Sequence, residues 1–560
     1  MNQGSDMQAI YNIAQICALK GIQHAVLSPG SRCAPLTVSF ARHEKIKKYI
    51  IPDERSAAFT ALGLSRMTKL PTILICTSGS AAYNYAPAVA EAYFQQIPLL
   101  ILTADRPPEW IDQLDGQTIR QQEIYGDHVK GSFTLPVETQ HPDAAWQVER
   151  IVNEAINLAA QFPKGPVHIN IPLREPFYPK GEIVFSDCKI IEPLTTKHSL
   201  SDAQWDILSQ ETKQYKKILV VAGQSDAEEK LTSLLSKLEI PMITDLISNH
   251  SFEGSICHHD LYLNAATSNL QPDLLITFGN SVISKSLKGF LRTHKPRAHW
   301  HLQEAGAVAD TFQSLTRSIP VSPIYFFEEM GKRKIASPAY QKSWQALDRA
   351  FSPAVAKFLS EEKTFSELEA VYKVLTALPS NSLLHLANSM PVRYANTIGI
   401  LQKNVEIIAN RGTSGIDGVI STAYGTALAT DKLVTVLTGD MSFLYDRNAF
   451  WNNYLPSNLR IVILNNHGGG IFRMIDGPAS QPEGEEYFVT RQMLTAENTL
   501  KDFDLDYTLV KERENFDHAL KDFFTLKGKS KVLEVETNGP MNTQIWKKLK
   551  EYVKIMNVEL

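Results

Sequence analysis

Cysteine is scarce and unpatterned in this chain. Five occur in 560 residues, Cys17, Cys33, Cys76, Cys188 and Cys257, an odd number with no repeated spacing. That excludes a disulfide framework and points to a reducing, cytoplasmic setting. An excess of one charge is missing too. The net charge of −4 gives no reason to expect nucleic acid or an anionic membrane as partner. No apolar run approaches the ~18 residues of an integral membrane segment. The N-terminal stretch through Gly21 reads as an amphipathic helix, without the basic start and apolar middle of a secretory signal. No Gly-x-Gly-x-x-Gly follows an apolar run, which argues against a nicotinamide dinucleotide site. Cys257-His258-His259-Asp260 has metal-ligating residue types but no second cluster, and reads as a polar loop.

What is present is a repeated architecture. Hydrophobic residues make up 44% and charged residues 21%, as in ordinary globular proteins, and the length implies about three domains. Short β-branched apolar runs end in Gly- or Ser-containing loops and are followed by helix-like sequence. They fall at 24–27, 72–76, 99–102 and 167–171, then at 218–221, 242–244 and 274–277, then at 405–409, 433–437, 461–464 and 532–535. Buried strands alternating with helices mean parallel sheets covered on both faces. The pattern predicts an α/β protein of three doubly wound parallel-sheet domains, at 1–182, 183–350 and 351–560. Pro, Gly and polar residues at 178–190 mark the first boundary, and a Lys-, Ser- and Ala-rich stretch at 332–363 holds the second.

The most specific motif lies in the last third. Gly439-Asp440 ends one apolar run and Asn465-Asn466 ends the next, with the segment 446–458 expected to supply a crossover helix. Successive parallel strands would then place Asp440 and Asn466 together at the carboxyl edge of a sheet, where such sheets bind ligands. An aspartate, an amide oxygen and a backbone carbonyl from His467-Gly468-Gly469-Gly470 make an all-oxygen set of the kind magnesium takes, usually with phosphate oxygens. Glycines let the backbone approach a diphosphate closely. Alone, each half of the motif reads as a helix cap or a turn. Together they resemble the diphosphate-binding signature of the thiamine-diphosphate enzymes, with Met441 where that signature usually has Gly. In the first third, Ile51-Pro52-Asp53-Glu54-Arg55 precedes a helix of small residues. Glu54 by itself reads as a helix-start glutamate favoured by the dipole.

Further stretches narrow the resemblance. They are LSPGSRCAPLT (27–37), DERSAAFTALGLS (53–65), TSGSAAYN (77–84), LTADRPPEWID (102–112), GQTIRQ (116–121), ANSMPVR (387–393), NRGTSGIDG (410–418), GDMSFLYDRNA (439–449) and NNHGGGIF (465–472). Over nearly its full length the chain resembles the 2-succinyl-5-enolpyruvyl-6-hydroxy-3-cyclohexene-1-carboxylate synthases of menaquinone biosynthesis. The resemblance implies thiamine diphosphate and Mg2+ (or Mn2+) as cofactors, 2-oxoglutarate and isochorismate as substrates, and a homo-oligomer with its active site at a dimer interface. Dimer or tetramer stays open.

The resemblance also implies residue roles. Glu54 and Gln117 are the catalytic candidates, Glu54 as the acid beside the aminopyrimidine; Gln117 orients a group, having no titrating proton. Asp440, Asn466 and Gly468 are the metal ligands. Glu54, Ser78, Gly415, Ile416, Gly439, Asp440, Met441, Ser442, Asn466, Gly468, Gly469, Gly470 and Ile471 touch the coenzyme, with Ile416 as a stiff β-branched wedge beneath its rings. Ser31, Arg32, Arg106, Gln117, Lys285, Ser389, Arg393, Arg411 and Phe472 form the substrate pocket. Both substrates are dicarboxylates, and arginine binds carboxylates bidentately. Two departures stand out: Ser286 follows Lys285 where the family typically has an Arg, and Gly116 stands at a frequent Asn position. The alternatives are another thiamine-dependent 2-oxo acid decarboxylase or carboligase, and a catalytically silent homologue.

Overall fold

The computed structural model describes residues 7–559 apart from 180, 266, 267, 401, 476 and 527. It contains three parallel sheets. The first holds β1 (His24–Leu27), β2 (Lys47–Ile50), β3 (Thr72–Cys76), β4 (Leu99–Asp105), β5 (Ser132–Thr134) and β6 (Pro166–Pro172), in the order β2-β1-β3-β4-β6-β5. The second holds β7 (Ile218–Ala222), β8 (Met242–Thr244), β9 (Leu274–Phe278), β10 (Ala298–Leu302) and β11 (Arg317–Ile319), in the order β11-β10-β9-β7-β8. The third holds β12 (Leu383–Leu386), β13 (Glu406–Ile408), β14 (Val434–Gly439), β15 (Leu459–Asn465), β16 (Asp506–Val510) and β17 (Lys531–Glu536), in the order β13-β12-β14-β15-β17-β16. Renumbered from its own first strand, the third sheet repeats the strand order of the first. In both, the chain reverses direction across the sheet between its first and third strands. That switch point, at the carboxyl edge, is where doubly wound sheets leave a crevice for ligand.

The expected three-sheet α/β architecture is therefore present, with each anticipated apolar run inside or overlapping a strand. The crossover between β14 and β15 differs from expectation. Helix Asp440–Tyr445 follows β14 directly, and within 446–458 there is only a single 3-10 turn, Arg447–Phe450. The physical reason is polar: the Asp446 side chain accepts from the Ser421 N–H and Oγ, each at 2.7 Å, and Asn448 and Asn452 bond away from the segment to Asp53 and Tyr424. Asn452 also bonds locally, to the Ala449 carbonyl and from the Tyr454 N–H at 2.9 Å each, and such side-chain bonding, with the following Pro456, competes with helix. The adjacency that matters survives, since β14 and β15 pair in parallel from Val434↔Leu459 to Gly439↔Leu464.

Helices Glu54–Thr68 and Val419–Leu428 pack against each other and lock the first sheet's layer to the third's. A Cβ on Gly63 would lie 2.0 Å from the Thr422 carbonyl oxygen, and one on Gly425 would lie 2.0 Å from that of Thr60. Only glycine permits this approach. Gly425→Ala gains ~1 kcal/mol of helix propensity but forces two backbones apart, and overpacking of this kind typically costs more. The expected outcome is a thermal midpoint lowered by about 5 °C or more, with an unchanged midpoint contradicting the packing described.

Candidate active site

The third sheet's carboxyl edge gathers the metal motif. Asp440 begins the helix after β14, is 3% exposed, and accepts from Gln492 Nε2 at 2.7 Å. Burial pushes its carboxyl above the ordinary aspartate value, against the opposing pull of Gln492 and the Met441 and Gly468 N–H groups. Asn466 follows β15. Its Nδ2 donates to Glu367 Oε1 at 2.6 Å, while its Oδ1 is buried with no hydrogen-bond partner. Buried amide oxygens are rarely left so. A carboxylate short of positive charge and an orphaned amide oxygen, at adjacent strand ends with a glycine loop between, fit a divalent cation. Gly468 has φ +155°, and a Cβ there would meet the Val489 carbonyl at 2.7 Å, so the loop accepts only glycine at that point. Gly469 and Gly470 continue the turn, and Ile471 packs on the domain core.

The remaining coenzyme and substrate candidates of this edge follow β12 (Ser389, Arg393), β13 (Arg411, Gly415, Ile416), β14 (Met441, Ser442) and β15 (Phe472). Ser442 Oγ donates to the Ile416 carbonyl at 2.5 Å, tying the wedge loop to the metal loop. Ile416 is 37% exposed, which excludes a core role and suits a side chain that supports a ligand. Asn388 joins the loops: its Nδ2 donates to the Asn410 and Gly415 carbonyls at 2.8 and 2.6 Å, and its Oδ1 accepts from Arg411 at 2.7 Å. Arg393, exposed, donates to the carbonyl of Ser389, whose φ of +74° turns the chain into helix Met390–Ile398. Phe472 lies 6.0 Å from the Phe488 ring, centroid to centroid.

The first sheet's carboxyl edge holds the other group. Glu54 is the first residue of helix Glu54–Thr68, but the cap is Asp53, whose Oδ1 accepts from the Arg55 and Ser56 N–H groups. The half-buried Glu54 carboxylate is left with Asn84, at 3.4 Å, as its hydrogen-bond partner. Arg32 is buried, donates to the Leu173 carbonyl at 2.8 Å and stacks over Phe177 at 4.8 Å. Burial and the nearby Arg106 charge hold its pKa below the arginine norm. Arg106 bonds Asp115 at 3.0 Å and the Gly116 carbonyl at 2.8 Å. Gln117, exposed with φ +54°, lies against the Gly79 backbone, and the buried Ser78 Oγ beside it has no partner. Ser31 is exposed at the start of the turn that leads into helix Ala34–Arg42.

Among the described residues, no hydrogen bond or ion pair within the chain joins Glu54 to Asp440 or Asn466, or Arg32 and Arg106 to Arg393 and Arg411. What links the two edges is scaffolding. Asn448 donates to Asp53 at 2.7 Å, and Arg55 donates to the Tyr445 carbonyl at 2.6 Å. The buried Glu91 accepts from the Gly412 and Thr413 N–H groups at 2.7 Å each.

Lys285 stands exposed at the first position of helix Lys285–Thr293. The cation that faces the arginines is Lys288, one turn on. Burial, then repulsion from Arg411, Arg292 and Arg393, hold its pKa down, with Asp245 opposing. Lys288, Asn388, Glu367 and Gln492 border the candidate residues and Glu91 braces their loops, and none of the five carries a motif of its own. Two clefts of about 470 and 670 Å³ lie elsewhere, over the carboxyl edge of the middle sheet, and none of the candidate residues lines either. Size here does not mark the chemistry.

Comparison with known proteins agrees with the geometry. Residues 7–129 match the family described as thiamine pyrophosphate enzyme, N-terminal TPP binding domain, and residues 190–386 match the middle domain of thiamine pyrophosphate enzymes. Fold and sequence together define a thiamine-pyrophosphate enzyme. A 2-succinyl-5-enolpyruvyl-6-hydroxy-3-cyclohexene-1-carboxylate synthase of Cytophaga hutchinsonii is 51% identical over 98% of this chain and 99% of its own length. Synthases of the same name from Porphyromonas gingivalis and Bacteroides fragilis are 36% and 35% identical, each over 98% of this chain. The chain belongs to the 2-succinyl-5-enolpyruvyl-6-hydroxy-3-cyclohexene-1-carboxylate synthase family.

Proposed function

We propose that this enzyme decarboxylates 2-oxoglutarate and adds the resulting succinyl unit to isochorismate, with Mg2+ or Mn2+ and thiamine diphosphate bound between two copies of the chain. In this reading residues 1–182 carry the pyrimidine side, 351–560 the diphosphate and metal side, and 183–350 the domain between them. Thiamine diphosphate, when bound, would supply a nucleophilic carbon and an electron sink for the decarboxylation of a 2-oxo acid. Asp440 Oδ, Asn466 Oδ1 and the Gly468 carbonyl hold the ion, and Ile416 supports the rings. Glu54 holds a proton at its carboxyl beside the aminopyrimidine nitrogen. Arg393 and Arg411, with Lys288 behind them, and Arg32 and Arg106 from the other edge, bind the substrate carboxylates. Ser31, Gln117 and Ser389 donate to the remaining substrate oxygens, and Ser78 to the coenzyme.

The observation that carries the reading is that guanidinium groups crowd the same two sheet edges that hold Glu54 and Asp440. Within one chain the two edges are tied by structural bonds, Asn448 to Asp53 and Arg55 to the Tyr445 carbonyl, and in this reading the partner half of each site comes from a second copy. Among the described residues no helix is long and apolar enough to cross a membrane.

The test is a turnover assay with each component omitted in turn. Product forms only with 2-oxoglutarate, isochorismate, thiamine diphosphate and the divalent ion together. Replacing 2-oxoglutarate with pyruvate, which leaves a carboxylate-binding cation unpaired, lowers kcat/KM by ~10² or more. Equal CO2 release from pyruvate assigns the chain to a different 2-oxo acid.

A further inference from the structure

We propose that Glu367 is a positioning residue of the metal centre, turning the Asn466 amide so that its oxygen faces the ion. The inference rests on reading Asp440 and Asn466 as ligands and assigns a role to a third residue outside that set. An asparagine side chain is ambivalent, with a donor end and an acceptor end of nearly the same shape. Magnesium takes only the oxygen. Something must decide which end points at it.

Glu367 is placed to decide. It is 1% exposed, the first residue of helix Glu367–Ala377, and lies 99 residues from Asn466 in sequence. Oε1 accepts from Asn466 Nδ2 at 2.6 Å and Oε2 accepts from the Tyr394 hydroxyl at 3.1 Å, while the Glu367 N–H donates to Asn542 Oδ1 at 3.1 Å. Among the described residues the bond to Glu367 is the only hydrogen bond of the Asn466 side chain, and Oδ1 is the orphan it leaves. Ionised, the Glu367 carboxylate only accepts, and a flipped amide would set oxygen against oxygen in a buried place; burial pushes its pKa up to about 7, against the opposing bonds from Asn466 and Tyr394. Tyr394 and the helix start hold the carboxylate, the carboxylate holds the amide nitrogen, and the amide oxygen is turned to the cation. Gly470 leaves room for the amide, since a Cβ there would lie 3.0 Å from Asn466 Nδ2 and 3.4 Å from Oδ1.

The test reads Mn2+ affinity directly, by electron paramagnetic resonance of the full-length protein with thiamine diphosphate. Glu367→Gln keeps an acceptor for Asn466 and can donate to the Tyr394 oxygen, so its Kd stays within about threefold of wild type. Glu367→Leu removes the acceptor and raises the Kd by ~10–100-fold. Wild-type affinity in Glu367→Leu overturns the inference, as does an equal loss in Glu367→Gln. Asp440→Asn is the control: if it binds Mn2+ as wild type does, the ligand assignment itself falls, whereas loss there beside unchanged Glu367→Leu removes only the role of Glu367. Should Glu367→Leu not fold, a second pair decides. Asn466→Asp sets two carboxylates together and weakens the site; adding Glu367→Gln restores a donor and recovers at least about tenfold in affinity. No recovery overturns the proposal.

Discussion

Glu54→Gln lowers kcat by ~10² or more, about 2.7 kcal/mol of barrier, and leaves the affinity for thiamine diphosphate within a few-fold. The structure separates this effect from folding. Asp53, not Glu54, caps helix Glu54–Thr68, and Asp53 also receives the Asn448 amide from the other layer. The Glu54 carboxylate carries none of that support, so the thermal midpoint of the variant stays at the wild-type value. What is lost is a group able to hold and return a proton at the pyrimidine, which an amide cannot do. Steady-state kinetics, a cofactor titration and a melting curve on one preparation read all three quantities. An unchanged kcat removes Glu54 from the chemistry.

The second large effect concerns the ion. Chelation abolishes turnover and added Mg2+ or Mn2+ restores it, while Asp440→Asn weakens the ion by ~10² or more, since it removes the one anionic ligand of the set. The same substitution raises the melting midpoint of the metal-free protein. The sign follows from burial. The folded-state pKa of Asp440 lies above the ordinary value of 3.8, so the folded state holds a proton there that the unfolded chain has released. Through that window stability falls as pH rises, and above it the ionised carboxylate opposes folding. The cation offsets that cost. An asparagine carries no such charge, so it gains stability without the ion and loses function with it. A fall in the metal-free midpoint, or Mn2+ affinity equal to wild type, contradicts this account of the site.

The sequence displayed the interior of the fold better than its margins. β3, β7 and β15 carry unbroken apolar stretches (73–76, 218–222 and 461–464), and β9 and the apolar part of β14 are interrupted only by Thr, because both faces are covered. β2 (KKYI), β5 (SFT), β11 (RSI) and β16 (DYTLV) lie at sheet edges, where one side meets solvent and the apolar run disappears. β10 and β12 are internal, but His299, His301 and His385 interrupt them; His299 and His301 share the Thr277 hydroxyl, and His385 is buried. Among site residues, those on loops after strands were legible because a motif keeps them together. Glu367, Glu91 and Lys288 sit in helices with no local signature, and their meaning comes from tertiary distance alone. A lone buried carboxylate and a surface one look the same in sequence.

Mixing two inactive variants tests most directly whether one coenzyme is held by Glu54 of one chain and Asp440 of another. Glu54→Gln and Asp440→Ala are each purified, combined, dissociated and allowed to reassociate. If each site is built across two copies, hybrid dimers carry one intact site, and the mixture recovers about a quarter of the wild-type rate. If each site is built within one chain, every site in the hybrid keeps a defect, and the mixture stays as inactive as its parts.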